Sequence, residues 1–245
     1  MFSPALQHRQ RKLAELASGN AGSVSGGTPM PTEGPVATEY QLMLAGLQID
    51  MNRLSQIQST AAKIEAKREM IGKYLPWIEG ALAAEAAAQD EIVGNMTVWA
   101  IDIDDWDLAF RLSQHILAHD LALPERFKRK PATIIAEQVA EAGLAPTPTI
   151  DRDWLQRFDA LLEGHDIFDQ VRAKLFRALG IAFKADAEAF DPTAENAVAG
   201  GKSALLQNAR DCFQSALTFD KNAGVKKLIE ALDRELKKAP VEPAT

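Results

Sequence analysis

The stretch "IDIDDWDLAF", residues 101–110, sets four aspartates into seven positions around a tryptophan. Two readings compete. Several carboxylates can converge on divalent cations a few ångströms apart, as a two-metal nuclease requires. Alternatively, Asp104 or Asp105 is the N-cap of a helix carrying Trp106, Leu108, Ala109 and Leu112. Asp107 then falls in its first turn, where a negative charge favours the helix dipole. Ile101 and Ile103 alternate with the acids as an interhelix turn would, and no second acidic motif with metal spacing accompanies them. We therefore expect a turn joining two helices. Asp102, Asp104, Asp105 and Asp107 stay as weak catalytic candidates. No cofactor or bound metal is expected, with Mg2+ entering only if those aspartates form a nuclease site.

Working outward, the chain reads as all-α. Ser3 before Pro4 starts a short basic helix, residues 1–17, closed by Gly19. The Gly-, Ser- and Pro-rich segment 18–37 reads as a flexible linker. Thr38 with Gln41 forms a capping box, and the absence of Pro predicts one long helix to about Lys73. On it Leu44, Leu47, Met51 and Leu54 make a seam suited to a partner helix. Leu75-Pro76-Trp77 ends that helix, and Pro76 opens an Ala-rich second arm reaching Ile101. No basic residue lies between Lys73 and Arg111, so a basic arm faces an acidic one, within a subunit or between subunits. A helix from about Asp105 to His119 follows, and Pro131 opens another that Gly143 closes. Residues 38–143 are thus an oligomerisation core in the form of a long helical hairpin, and 144–150 a second linker.

Beyond the linker, helices are expected near 151–163, 167–185, 203–219 and 222–238, with a tail at 239–245. "AFRLSQHILAHD" and "ARDCFQSALTFD" share one grid: Ala109, Ser113, Ile116 and Asp120 against Ala209, Phe213, Ala216 and Asp220. That spacing fits the second helix of a tetratricopeptide unit, and "LGIAF" (Leu179–Phe183) fits the first. Residues 151–238 therefore read as a degenerate tetratricopeptide-like domain, an architecture that usually binds protein.

The net charge of −7 argues against blanket coating of nucleic acid. A single cysteine, Cys212, excludes an internal disulfide framework, and it reads as a small buried apolar group. Among the histidines, His8, His115, His119 and His165, only His115 and His119 share a helix face, with no third metal ligand in view. "AGGKSAL" lacks the first glycine of a phosphate-binding loop and a preceding strand. No signal-peptide or membrane-spanning stretch is recognised, so a cytoplasmic protein without a membrane partner is expected. Three basic clusters remain as candidate DNA contacts: Arg9, Arg11 and Lys12; Lys63, Lys67, Arg68 and Lys73; and Arg126, Lys128, Arg129 and Lys130. In a symmetric assembly such weak patches are multiplied, and phosphate contacts give salt-dependent affinity without sequence preference.

The ordered string "EAKREMIGKYLPWIEGAL", "AQDEIVGNMTVWAIDIDDWDLAFRLSQHIL", "LPERFKRKPATIIAEQVA", "VRAKLFRALG" and "FQSALTFDKNAGVKKLIEALDREL" resembles the small terminase subunit of tailed temperate phages with contractile tails, often labelled the terminase endonuclease subunit. The likeness covers most of the chain after residue 38, with a short piece around Ser3-Pro4. It implies a protein of the bacterial host cytoplasm that recognises double-stranded phage DNA at its packaging site. It also implies work beside an ATPase large subunit and a homo-oligomer, commonly a ring. The family label carries nuclease activity that no residue pattern here displays. The sequence departs from the family pattern in its extra aspartates, its Gly/Ser-rich linker and an ending, "KKAPVEPAT", without a long basic tail. Two other classes compete: a helical-repeat adaptor without a DNA role, and a metal-dependent endonuclease in its own right.

Overall fold

The structure is a computed structural model describing residues 3–19, 26–193 and 201–237. The chain divides into two compact units, Met1–Pro131 and Ala132–Thr245. Eleven helices and one pair of two-residue strands make up the regular structure of the described residues, so the fold is all-α as the sequence implies.

The first unit holds α1 (Pro4–Gly19), β1 (Thr28–Pro29), α2 (Gly34–Gln56), α3 (Thr60–Ile71), α4 (Leu75–Ala83), β2 (Ala88–Gln89), α5 (Glu91–Asp102) and α6 (Trp106–Ala118). Ser3 caps α1 through its hydroxyl, which accepts from Leu6 N at 3.3 Å. α1 lies against α4 closely enough that a Cβ on Gly80 would stand 2.1 Å from the Arg11 carbonyl oxygen. α5 is buried along nearly its whole length, from Ile92 to Ile101, and forms the centre of the unit.

Four expectations are corrected here. The single helix expected over 38–73 is two helices, because Ile57 is extended (φ −88°, ψ 125°) and Ser59 caps α3 by accepting from Ala62 N. α2 starts before Thr38, at Gly34, with Pro35 in its first turn. The Thr38 hydroxyl bonds back to the Gly34 carbonyl at 3.1 Å, so it does not cap the helix. The second arm is likewise broken, into α4 and α5, by an extended piece ending at Asp90. Part of the expected linker is held in place: Thr28 and Pro29 pair in parallel with Ala88 and Gln89. Gly26 N donates to the His119 carbonyl at 3.1 Å. Residues 20–25 of that linker and residues 238–245 lie outside the described residues.

The second unit contains α7 (Pro131–Leu144), α8 (Arg152–Leu161), α9 (Asp169–Ala189), α10 (Gly201–Phe219) and α11 (Lys226–Leu236). The sequence reading places α7 in the core of 38–143; the structure packs it with the second unit. There a Cβ on Gly143 would meet Ala178 at 3.0 Å, and Lys174 pairs with Glu137 and Glu141. α9 and α10 run antiparallel, since Phe176 faces Phe219, Gly180 faces Phe213 and Phe190 faces Gly201. Ala209, Phe213 and Ala216, the residues of the repeated grid, are fully buried.

Gly180 is the tightest point of that pair, with Phe213 ring atoms 2.5 and 2.6 Å from the place a Cβ would take. Gly180→Ala should destabilise the protein by about 1–3 kcal/mol through overpacking, despite alanine's better helix propensity. Chemical denaturation checks this; a gain in stability would show that the α9–α10 contact is looser than described.

Candidate nucleic-acid interface

The acidic turn closes α5 and opens α6. Asp104 has φ 62°, the left-handed conformation that ends many helices. Asp105 N donates to the Ala100 carbonyl at 2.9 Å and Asp104 N to the Ile101 carbonyl at 3.1 Å, the paired bonds of a Schellman motif. Asp105 then caps α6, its carboxylate accepting from Leu108 N at 3.1 Å. Asp107 lies in the first turn of α6, 3.9 Å from Arg111 Nη1. Asp102 forms an ion pair with Lys67, and Asp104 lies 3.6 Å from Arg68 Nη2. Each carboxylate thus already has a cation or a backbone N–H as partner. Among the described residues, no group of three or more His, Cys, Asp and Glu is placed to hold a metal ion. The oxygens of the four aspartates serve caps and ion pairs at separate points along the turn.

Lys67 and Arg68 lie on α3, so the acidic stretch and the second basic cluster meet within the chain. Lys67 is only 16% exposed, which makes it a structural cation. Lys73 donates to Asp50 at 2.8 and 3.0 Å, and the Tyr74 hydroxyl donates to the same carboxylate at 2.8 Å. Burial and that carboxylate push the Tyr74 phenol upward. Arg9 lies 3.6 Å from the buried Glu39, and Lys12 pairs with Glu15 at 2.7 Å. Five of the candidate DNA contacts therefore face carboxylates: Arg9, Lys12, Lys67, Arg68 and Lys73. Arg11, Lys128, Arg129 and Lys130 are exposed, and Lys63 is half-buried. Arg126 is also exposed, with its guanidinium 4.5 Å from the Phe127 ring centroid and 3.8 Å from Met51 Sδ.

A groove of about 560 Å³ joins the first two clusters, with Arg9 and Lys73 both on its wall and Leu6, Met43 and Gly46 between them. Beside it α2 raises an apolar crest, Leu42 at 65% and Ile49 at 68% exposure. The expected seam is turned the other way: Leu47 and Leu54 are buried within the unit. The sequence reading did not single out the crest, although the spacing of Leu42, Gly46 and Ile49 on one face of α2 was a signal for it.

His115 is held down to about 4 by burial and by His119, whose ring lies 4.8 Å away, so it is neutral at physiological pH. Asp90 is buried and caps α5 by accepting from Ile92 N and Val93 N at 2.7 and 3.2 Å. It also accepts from Trp77 Nε1 at 2.7 Å. Burial nevertheless outweighs these three donors and pushes its carboxyl up to about 6. No helix among the described residues is long and apolar enough to cross a membrane.

Fold and site together define an all-helical protein whose acidic turn caps helices and whose basic loop lies at the surface. The sequence profile of the family described as phage small terminase subunit matches residues 44–170, from within α2 to the start of α9. The chain is 31% identical over 245 residues to the "Terminase, endonuclease subunit" of Escherichia phage P2, covering 98% of this chain and 88% of that one. It is 26% identical over 235 residues to the "Probable terminase, endonuclease subunit" of Haemophilus phage HP1, covering 90% of this chain and 78% of that one. No solved structure matches it. The chain belongs to the phage small terminase subunit family, and its role is in phage DNA packaging.

Two outcomes follow from the site geometry. Asp105→Ala should cost about 1 kcal/mol by removing a cap, and Asp105→Asn much less. At Asp104, Asn should be tolerated and Ala should cost roughly 1 kcal/mol more, because only the amide shares the aspartate's tolerance of positive φ. Equal losses for Ala and Asn, read by thermal unfolding, would remove the capping account.

Asp90 supplies a pH dependence. Its carboxyl moves from 3.8 to about 6 on folding, so the folded state holds the proton more tightly. The stability it contributes is complete below pH 4 and is lost as pH rises through 6, on the order of 3 kcal/mol in all. Asp90→Asn should abolish this slope. Parallel stability–pH curves for the two proteins would refute the assignment.

Proposed function

We propose that the chain binds double-stranded phage DNA at the packaging site, as a ring-forming homo-oligomer in the host cytoplasm. It presents that DNA to the ATPase-bearing large subunit. The observation that carries the DNA contact is the loop between α6 and α7, where Arg126, Lys128, Arg129 and Lys130 lie exposed within five consecutive residues. Phosphates need accessible cations, and affinity grows with the number of them neutralised. Lys67 and Lys73 hold carboxylates in the first unit; Arg11 and Lys63 are further candidates. The Leu42–Ile49 crest supports association between copies, because exposed apolar surface of this kind marks protein contacts. The endonuclease in the relatives' names is the observation that favours a second reading, in which this chain cuts. The capping and ion-pairing of the four aspartates support the first.

One experiment separates the readings. Replacing Arg126, Lys128, Arg129 and Lys130 by Ala should weaken binding to duplex DNA and reduce its log–log salt slope by about 2–3, at roughly 0.9 for each phosphate no longer neutralised. Replacing Arg9, Arg11 and Lys12 should change it by about 1. An unchanged slope in the loop variant would move the interface elsewhere. The purified chain should not cleave duplex DNA with Mg2+ or Mn2+. Cleavage that disappears on Asp104→Asn and Asp105→Asn, with the fold intact, would establish the second reading.

A further inference from the structure

The groove of the first unit lies between α1 and α2, and its charged groups balance. Arg9 faces Glu39 and Lys73 pairs with Asp50, two cations against two acids. Such a surface offers phosphate little, and the rest of the wall is aliphatic, with Leu6, Leu42, Met43 and Ile49. Gln10 also lines the groove. It is 4% exposed, and its Oε1 is buried with no hydrogen-bond donor among the described residues. A buried acceptor left without a donor marks an environment that one protomer does not complete. Apolar wall, balanced charge and orphaned amide together fit protein rather than nucleic acid.

The outer face of α2 is also nearly symmetric end to end. Leu42, Ala45, Gly46 and Ile49 share one side of the helix, at i, i+3, i+4 and i+7. About the point between Ala45 and Gly46, Leu42 answers Ile49, and exposed Thr38 and Arg53 close the two ends. The smallest residues sit at the centre, where a Cβ on Gly46 would meet nothing within 4 Å. A two-fold contact needs such a face, since residue i of one copy meets j of the other while j meets i. An unrelated partner makes no such demand. We propose that two copies pair antiparallel through α2, crossing at Ala45–Gly46, with Leu42 of each copy against Ile49 of the other. Thr38–Arg53 is about 24 Å long, and α1 beside α2 makes the face about 20 Å wide. Pairing then buries on the order of 1,000 Å² in all, enough for a specific contact. The pairing rests on the reading that copies associate, and it names the face they share. Because an isologous contact closes on itself, a ring needs a second, heterologous surface as well.

Engineered thiols in the full chain test this, compared with the parent, whose own thiol is Cys212. Mild oxidation of Ala45→Cys should give disulfide-linked pairs, because position 45 lies beside the two-fold axis. Leu42→Cys alone should give none. Its counterpart in the second copy lies about 10 Å away along the helices, beyond the roughly 7 Å that a disulfide spans. A mixture of Leu42→Cys and Ile49→Cys chains should link again. Leu42→Glu sets a carboxylate in the contact and should weaken association about tenfold in sedimentation velocity. Leu42 is exposed in the protomer, so this change should leave thermal unfolding of the protomer unaltered. Links in Leu42→Cys alone, no links in the mixture, or unchanged association of the Leu42→Glu chain would overturn the pairing. With a parent that still associates, those results defeat the α2 contact and leave association itself standing. A parent that is monomeric at about 50 µM defeats the association reading and the pairing with it.

Discussion

The first unit depends on one carboxylate. Asp90 is buried and takes three donors, two from the first turn of α5 and one from Trp77 on α4. Tyr40 of α2 stacks on that indole at 5.6 Å, and its hydroxyl accepts from Glu91 N at 2.9 Å. Three helices are therefore set in register by one acid and one ring pair. A buried carboxylate without such donors would cost several kcal/mol, so the geometry around it is tightly specified. The extended backbone that the cap requires, φ −123° and ψ 111° at Asp90, continues back through Ala88 and Gln89. There it offers an edge to Thr28 and Pro29. The small strand pair is thus a by-product of the cap, which explains why no strand pattern accompanies it in the sequence.

The acidic stretch of residues 101–110 repeats that logic in a more exposed setting. Its aspartates end one helix, start the next and fix α3 through Lys67 and Arg68. The expected complementarity of a basic arm and an acidic one is realised inside a single protomer, across 35 residues of sequence between Lys67 and Asp102. Those ion pairs have a consequence for function. A cation committed to a carboxylate contributes little to phosphate binding, because its charge is already balanced and its side chain already placed. The sequence puts the N-terminal helix and the Lys67–Lys73 cluster first and the loop at 126–130 third; the carboxylates on Arg9, Lys12, Lys67, Arg68 and Lys73 weigh against the two clusters put first.

What could be read from sequence was local. Ser3-Pro4 at the start of α1, Pro131 at the start of α7 and the caps at Asp105 and Asp151 depend on residue chemistry within one turn, and each was visible or inferable as such. The break between α2 and α3 was not, since Ile57–Ser59 has no Gly or Pro and yields only because Ser59 offers a cap. The covered face of α2 was also illegible. Both Leu47–Leu54 and Leu42–Ile49 have helical spacing, and only the packing of distant segments decides which is buried. The aromatic stack of the second unit shares that limit: Phe176 and Phe219 lie on different helices and meet only because α9 and α10 are antiparallel.

An acidic chain with a DNA-handling role presents no contradiction once charge is considered locally. At about 0.1 M salt the Debye length is about 10 Å, so a phosphate responds to the few charges nearest it and hardly to the net −7. Within that radius the loop presents four cations in five residues. Net acidity disfavours indiscriminate coating of nucleic acid, so any phosphate contact on this chain is confined to places where cations outnumber acids within that radius.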